Sequence, residues 1–263
     1  MLSRKGDYDN DYGHWGTDDN RVPVASTYRV AWREFAATTG FRTLYPALIP
    51  PGTRHVHAVN SCRHPNDPSE LSQAGAVMSS FLSDYFVRSA GTGHIFNDLV
   101  RGLPFALTGQ WAVQASRLFL RLNCLTFVYA PLWKEVTGEE WTVSTPLRKA
   151  EERQSAQNDI DAIVALSLGV SADELCMIYR TQFPVMRKYD QADLFDADGH
   201  LVPKHIARAE SLAKQPEQLS IEERTWTHPQ SGAEYVFSYP FKAMDREAAL
   251  RRSYDHHSRM VSP

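Results

Sequence analysis

Residues 28–60 constrain the fold more than any other stretch. Two breaks, Thr38-Thr39-Gly40 and Pro50-Pro51-Gly52, divide them into three runs. In the first, Tyr28, Val30 and Trp32 alternate with Arg29, Ala31 and Arg33, the period of a half-buried strand. Residues 44–49 form a second strand candidate. Pro46 has no N–H to give a ladder and so argues for an edge position. Residues 55–59 form a third, with His55 and His57 on one face and Val56 and Ala58 on the other. Arg29, Arg33, Arg42, Arg54, His55, His57 and Asn60 are hydrogen-bond donors that suit phosphates or base edges. Composition leaves a plainer reading open, a sheet with a solvated basic face, because most charge on strands is simply solvated.

After this sheet the pattern turns helical. Leu71, Ala74, Met78, Leu82, Tyr85 and Phe86 fall at roughly helical spacing, which predicts one helix over 70–88 with Ser69 as its cap. The glycines of Ser89-Ala90-Gly91-Thr92-Gly93 end it. Gly91 and Gly93 leave backbone amides open to a phosphate, with His94 beside them; most loops of this kind are only turns. Further helices are expected over 111–129, 146–168, 205–213 and 245–259. Ser171-Ala172-Asp173-Glu174 has the form of a capping box that opens another. Residues 226–239 carry a Pro-Gln-Ser-Gly turn and predict a short hairpin. Asp196-Ala197-Asp198-Gly199 resembles the start of a calcium loop, but Ala207 stands where that motif needs a bidentate glutamate; a tight turn between short strands is expected instead. The expected fold class is therefore α+β. A polar leading segment (1–27), anchored by Trp15, precedes an α/β domain with a small mixed or antiparallel sheet (28–107). A mainly helical C-terminal region with a short hairpin (108–263) follows.

The chemistry that is missing narrows the function. No glycine-rich cofactor loop, HExxH, paired cysteines or GxSxG element is present, nor the Asn/Asp-Pro-Pro-aromatic element with which an amino-methylating enzyme grips a flipped base. A carboxylate cluster such as Asp190, Asp193 and Asp196 could still assemble in space. Cys62, Cys124 and Cys176 are too far apart for a zinc site or a disulfide framework. They are expected to be buried thiols in a reducing, cytoplasmic setting. Net charge is −3, so a nucleic-acid site must be a local patch. The longest apolar run, around residues 118–132, is broken by Arg121, Asn123 and Pro131, so no membrane partner is expected.

Three separated stretches carry a resemblance. YRVAWREFAATTGFRTLYPALIPPGTRHVHAVNSC resembles the first sheet of the target-recognition domain in fused restriction–modification adenine methyltransferases. AGAVMSSFLSDYFVRSAGTGHIFNDLVRGLPF resembles the next element of that domain, with MSSFLSDYF where the family usually has Leu-Asn-Ser. NDIDAIVALSLGVSADELCMIYRTQFPVMRKYD is similar to the family's helical tail. The late YPFKAMDREAALRRSYDHHSRM looks like the terminal helix of the large phage-defence methylases of the BREX and DISARM kind. The order of these stretches, over roughly residues 28–259, is more telling than any one of them. The methylase core that should precede them is absent.

The resemblance implies the DNA-recognition part of an adenine-N6 methyltransferase. Double-stranded DNA and a methylase catalytic domain or subunit would be the partners. This chain would bind no cofactor, S-adenosylmethionine being expected in the missing methylase domain. Catalytic and metal-ligating residues are expected to be none. The expected DNA-binding residues are Arg29, Arg33, Arg42, Arg54, His55, His57, Asn60, Gly91, Gly93 and His94. Arg42→Ala should then alter DNA binding and leave folding intact, whereas Trp32 should be core. The alternative is a protein-interaction scaffold of such a system that never touches DNA.

Overall fold

The computed structural model describes residues 13–15, 22–37, 39–64 and 67–261. Most of the expected leading segment, the anchoring side chain of Trp15, Thr38 and the Pro65-Asn66 step lie outside the described residues. The fold is α+β, as expected, with small antiparallel sheets and a larger set of helices. No helix among the described residues is long and apolar enough to cross a membrane.

Strands β1 (His14–Trp15) and β2 (Val22–Pro23) pair as a short antiparallel ladder. The organising sheet is β3 (Arg29–Arg33), flanked by β4 (Ala47–Ile49) and β5 (Val59–Cys62), both antiparallel to it. Strand β4 is the edge that Pro46 implied. Its outer side is closed by side chains: Asn123 Oδ1 accepts from the Leu48 N–H at 3.1 Å, and the Tyr129 hydroxyl donates to the Leu48 carbonyl at 2.9 Å. An edge satisfied in this way offers little to a foreign strand.

Two features of the sheet differ from the sequence expectation. Strand β5 begins only at Val59, so His55 and His57 sit in the preceding loop and share no strand face. Moreover β3 is covered on both sides: Arg29, Val30, Ala31 and Trp32 are all buried. Val30 and Trp32 belong to the main core. Arg29 is fully buried on the opposite face, where it donates to the Thr53 carbonyl and, at 3.3 Å, to Ser61 Oγ. The 50–53 turn folds back over that face, because the Gly52 N–H bonds the Ala25 carbonyl and Gly52 takes the positive φ that the turn requires.

The helices follow as α1 (Pro68–Met78), α2 (Phe81–Ala90), α3 (Asn97–Arg101), α4 (Gly109–Asn123), α5 (Ala130–Thr137), α6 (Ala150–Ser167), α7 (Ala172–Gln182) and α8 (Pro184–Ala192). After β6 (Leu194–Phe195) come α9 (Lys204–Leu212), the hairpin β7 (Thr225–Thr227) and β8 (Glu234–Val236), β9 (Lys242–Ala243) and α10 (Arg246–Ser258). The capping box opens α7 as expected. The single helix expected over 70–88 is two. Ser80 stops the first and caps the second by accepting from the Ser83 N–H, while Asp67, not Ser69, caps α1.

One continuous hydrophobic core runs from Val30 through Phe119 and Ile163 to Leu250. The expected units 28–107 and 108–263 therefore share their interior. Helix α6 is at its centre, packed on α4 and α10, while α1 crosses α4. A second, small cluster of Val202, Ile206 and Phe237 lies under the hairpin.

Gly75 marks the α1–α4 crossing, since a Cβ there would enter the Phe119 ring. Alanine would normally gain about 1 kcal/mol over glycine inside a helix. Here the overlap should win: Gly75→Ala is expected to destabilise the protein by about 1–3 kcal/mol. Its chemical-denaturation midpoint should fall, and a rise would mean that the two helices are not in close contact.

Candidate nucleic-acid interface

Beyond Arg33 the chain leaves the sheet core and is held between two loops. The Glu34 N–H bonds the Ala58 carbonyl at 2.9 Å on the β5 side. The Ala36 N–H bonds the Gly93 carbonyl and the Ile95 N–H the Glu34 carbonyl, at 3.1 and 2.6 Å, so that Phe35 and His94 form an antiparallel bridge with the loop after α2. The Ile95 carbonyl pins it from below, accepting from Trp32 Nε1 at 2.9 Å and Asn60 Nδ2 at 3.1 Å.

This arrangement puts a row of rings on the surface. His94 lies 5.2 Å from the Phe35 ring and stacks on Phe96 at 5.3 Å, nearly parallel. Phe35 and Phe96 remain 51% and 50% exposed, although each carries a large apolar ring. The Glu34 carboxylate, 3.0 Å from His94 Nδ1, fixes the imidazole. Beside the row, the exposed Arg33 guanidinium lies 5.0 Å from the centroid of the exposed Tyr45 ring. Among the described residues no carboxylate pairs with Arg33. Rings with open faces next to an unpaired guanidinium can stack on bases and bond their edges.

The expected DNA-binding residues separate into groups. Arg33, His57, Gly91, Gly93 and His94 are exposed at this end of the sheet. Gly91 has a second task, ending α2 at φ 65°. Arg54 and His55 are half-buried in the loop before β5, where His55 Nε2 bonds Ser61 Oγ at 2.8 Å. Asn60 is used internally on Ile95. Arg29 and Arg42 are corrections: both are buried in internal contacts and offer nothing to an outside ligand. Sequence reasoning passed over Phe35, Tyr45 and Phe96. The signal was available, because Phe35 stands two residues past the end of the strand and Phe96 alternates with His94, but aromatic residues near a strand usually go to the core.

Buried charges hold the loop that carries Tyr45. Asp84 accepts twice from the Thr43 N–H, at 3.1 and 3.0 Å, and pairs with Arg88 at 2.9 Å. Arg88 reaches on to the Gly40 and Gln182 carbonyls. Arg42 donates to the Ser79 carbonyl, lies 4.3 Å from the Phe81 ring centroid and faces Asp161 at 3.6 Å. Asp161 also accepts the Phe81 N–H at 2.7 Å, at the start of α2. Its burial outweighs Arg42 and that amide, and its carboxyl is pushed up to about 6. Deeper still, Arg246 clamps Asp190 and donates to Asn158.

Other chemistry suggested by the sequence has structural explanations. Asp196 accepts from the N–H groups of Asp198, His200 and Ser238, the work of a tight turn. Among the described residues the one group of three or more with ligand-type atoms all within 4.8 Å of one another is Asp196, Asp198 and His200, and Asp190 and Asp193 are not in it. Cys124 and Cys176 are buried and Cys62 half-buried; burial pushes the Cys62 thiol up to about 11 and that of Cys124 to about 12. His257 is buried and His256 exposed, so the adjacent pair points apart. On the far side of β4, Leu125, Phe127, Val128 and Val143 are exposed, with Phe127 edge-on to Trp141 at 6.1 Å.

No family model, curated protein or solved structure matches this chain.

Proposed function

We propose that this chain is the DNA target-recognition part of an adenine-N6 methyltransferase of a restriction–modification or phage-defence system, acting in the cytoplasm. The methyl donor, S-adenosylmethionine, would be bound by a catalytic domain or subunit outside residues 1–263. The observation that carries the reading is the solvent-facing end of β3. There Arg33, Tyr45, Phe35, His94 and Phe96 present hydrogen-bond donors and open ring faces, flanked by His57 and the Gly93 amide. The family resemblance over residues 28–259 supports it from the sequence side. In this reading Arg33 contacts a guanine edge or a phosphate, the rings stack on bases, and the Gly93 amide meets the backbone, the Gly91 N–H being given to the Arg88 carbonyl. Arg29, Arg42 and Asn60 hold the surface in shape without touching DNA.

Equilibrium titration of a labelled duplex at low salt, with wild type and Arg33→Gln, tests the assignment. Arg33→Gln should fold normally and bind about 5- to 100-fold more weakly, the range for one lost base or phosphate contact. An unchanged isotherm removes Arg33 from the interface.

A second reading, a scaffold that binds a protein partner and not DNA, is favoured by the apolar patch of Leu125, Phe127, Val128 and Val143. It predicts that the chain ignores DNA at every salt concentration.

A further inference from the structure

A pocket of about 420 Å³ opens beneath Tyr45, between the 41–46 loop and one face of α6. Its size falls within the range of small-ligand sites, roughly 300–1,000 Å³. Every charged side chain lining it is cationic: Arg42, Arg153 and Arg246. Arg42 and Arg246 are turned to Asp161 and Asp190. Arg153 has no carboxylate partner among the described residues. Its Nη1 donates to the Leu122 and Leu147 carbonyls, 3.0 Å each, which leaves its other N–H groups unengaged. The charge is half-buried, and burial lowers its pKa. A cation in that position calls for an anion.

The rest of the lining is not that of a bare anion site. Gln154 and Gln157 stand with Arg153 on the same face of α6. Their amide nitrogens are directed to Asn158 Oδ1 at 3.4 Å and the Ser79 carbonyl at 2.8 Å, which leaves their carbonyl oxygens as acceptors. Phe41 and Tyr45 supply aromatic wall. An unpaired guanidinium, two amide acceptors and ring surface together match a phosphate, an amine- or hydroxyl-bearing group and a planar base. We propose that this pocket binds a single nucleotide unit, with Arg153 on its phosphate, Gln154 and Gln157 on its base or sugar, and Tyr45 or Phe41 against the base.

The nucleotide has two sources, a free mononucleotide or one unstacked residue of a DNA strand. Tyr45 joins the pocket to the Arg33 surface, but the pocket does not depend on the DNA reading. Calorimetric titration of the full chain with deoxyadenosine monophosphate, deoxyadenosine and inorganic phosphate tests it. The monophosphate should bind more tightly than either fragment. Arg153→Gln should weaken the monophosphate about tenfold or more while leaving deoxyadenosine unchanged. Gln154→Ala, at a residue that makes a single long internal bond, should weaken deoxyadenosine and serves as a second variant if Arg153→Gln melts early. Competition by a single-stranded oligonucleotide assigns the nucleotide to DNA, and lack of competition to a free ligand; either outcome upholds the pocket. Absence of binding at millimolar monophosphate, or equal binding by Arg153→Gln, overturns it. Monophosphate binding without duplex binding keeps the pocket and removes the DNA reading, and duplex binding without monophosphate binding does the reverse.

Discussion

Replacing Trp32 by alanine is expected to destabilise the protein by about 3–5 kcal/mol, the cost of removing a large buried aromatic. The ring is 2% exposed and lies in the main core. Two losses combine at this position. The cavity would open between the sheet and α1, and the Ile95 carbonyl would keep only the Asn60 amide of its two side-chain donors. Because Ile95 pins the loop that carries His94 and Phe96, the change should also loosen the candidate interface. Denaturant unfolding measures the first effect, and faster amide exchange over 91–96 reports the second. A cost under about 1 kcal/mol would mean that the ring is not enclosed as described.

Arg42→Ala is expected to cost a similar amount, about 3–5 kcal/mol at neutral pH. The guanidinium is 9% exposed and its partner Asp161 is fully buried. Without Arg42 the Asp161 carboxylate loses its nearest opposing charge, and its pKa, already pushed up to about 6, should rise further. The sign then follows. The folded carboxyl would hold its proton at a higher pH than the unfolded one, so the native state binds more protons and stability falls as pH rises. The deficit against wild type should therefore be larger at about pH 8 than at about pH 5. A deficit independent of pH would show that Asp161 is not the group exposed by the change. This replaces the sequence-based expectation that Arg42→Ala leaves folding intact.

Arg42 shows where the sequence stops being informative. In its local context, Gly-Phe-Arg-Thr, nothing separates it from Arg33, and both are basic residues near a strand. The difference lies more than a hundred residues away, in Asp161 on α6, which only the assembled fold brings opposite Arg42. Arg29 is the same case at shorter range: alternation along β3 was legible, but the cover over its second face comes from the 50–53 turn. Local signals fared better. Pro46 marked the edge strand, Ser171 and Glu174 marked a helix start, and the hairpin near 226–239 formed where its turn lay. The break between α1 and α2 carries neither glycine nor proline. Two serines make it, and their role depends on Asp161 taking the Phe81 N–H. The site was legible as a region and not as a residue set, because exposure separates its members and exposure is a tertiary property.

The central claim, that this chain meets DNA through the end of β3, is tested most directly by the salt dependence of duplex binding. The logarithm of the association constant should fall linearly with the logarithm of salt concentration. A slope of about −3 or steeper is predicted, as three or more phosphate contacts require, and Arg33→Gln should make it shallower by about one. If no duplex binding is detected at the lowest salt concentration, where counterion release favours it most, the claim is contradicted and the protein-interaction reading takes its place.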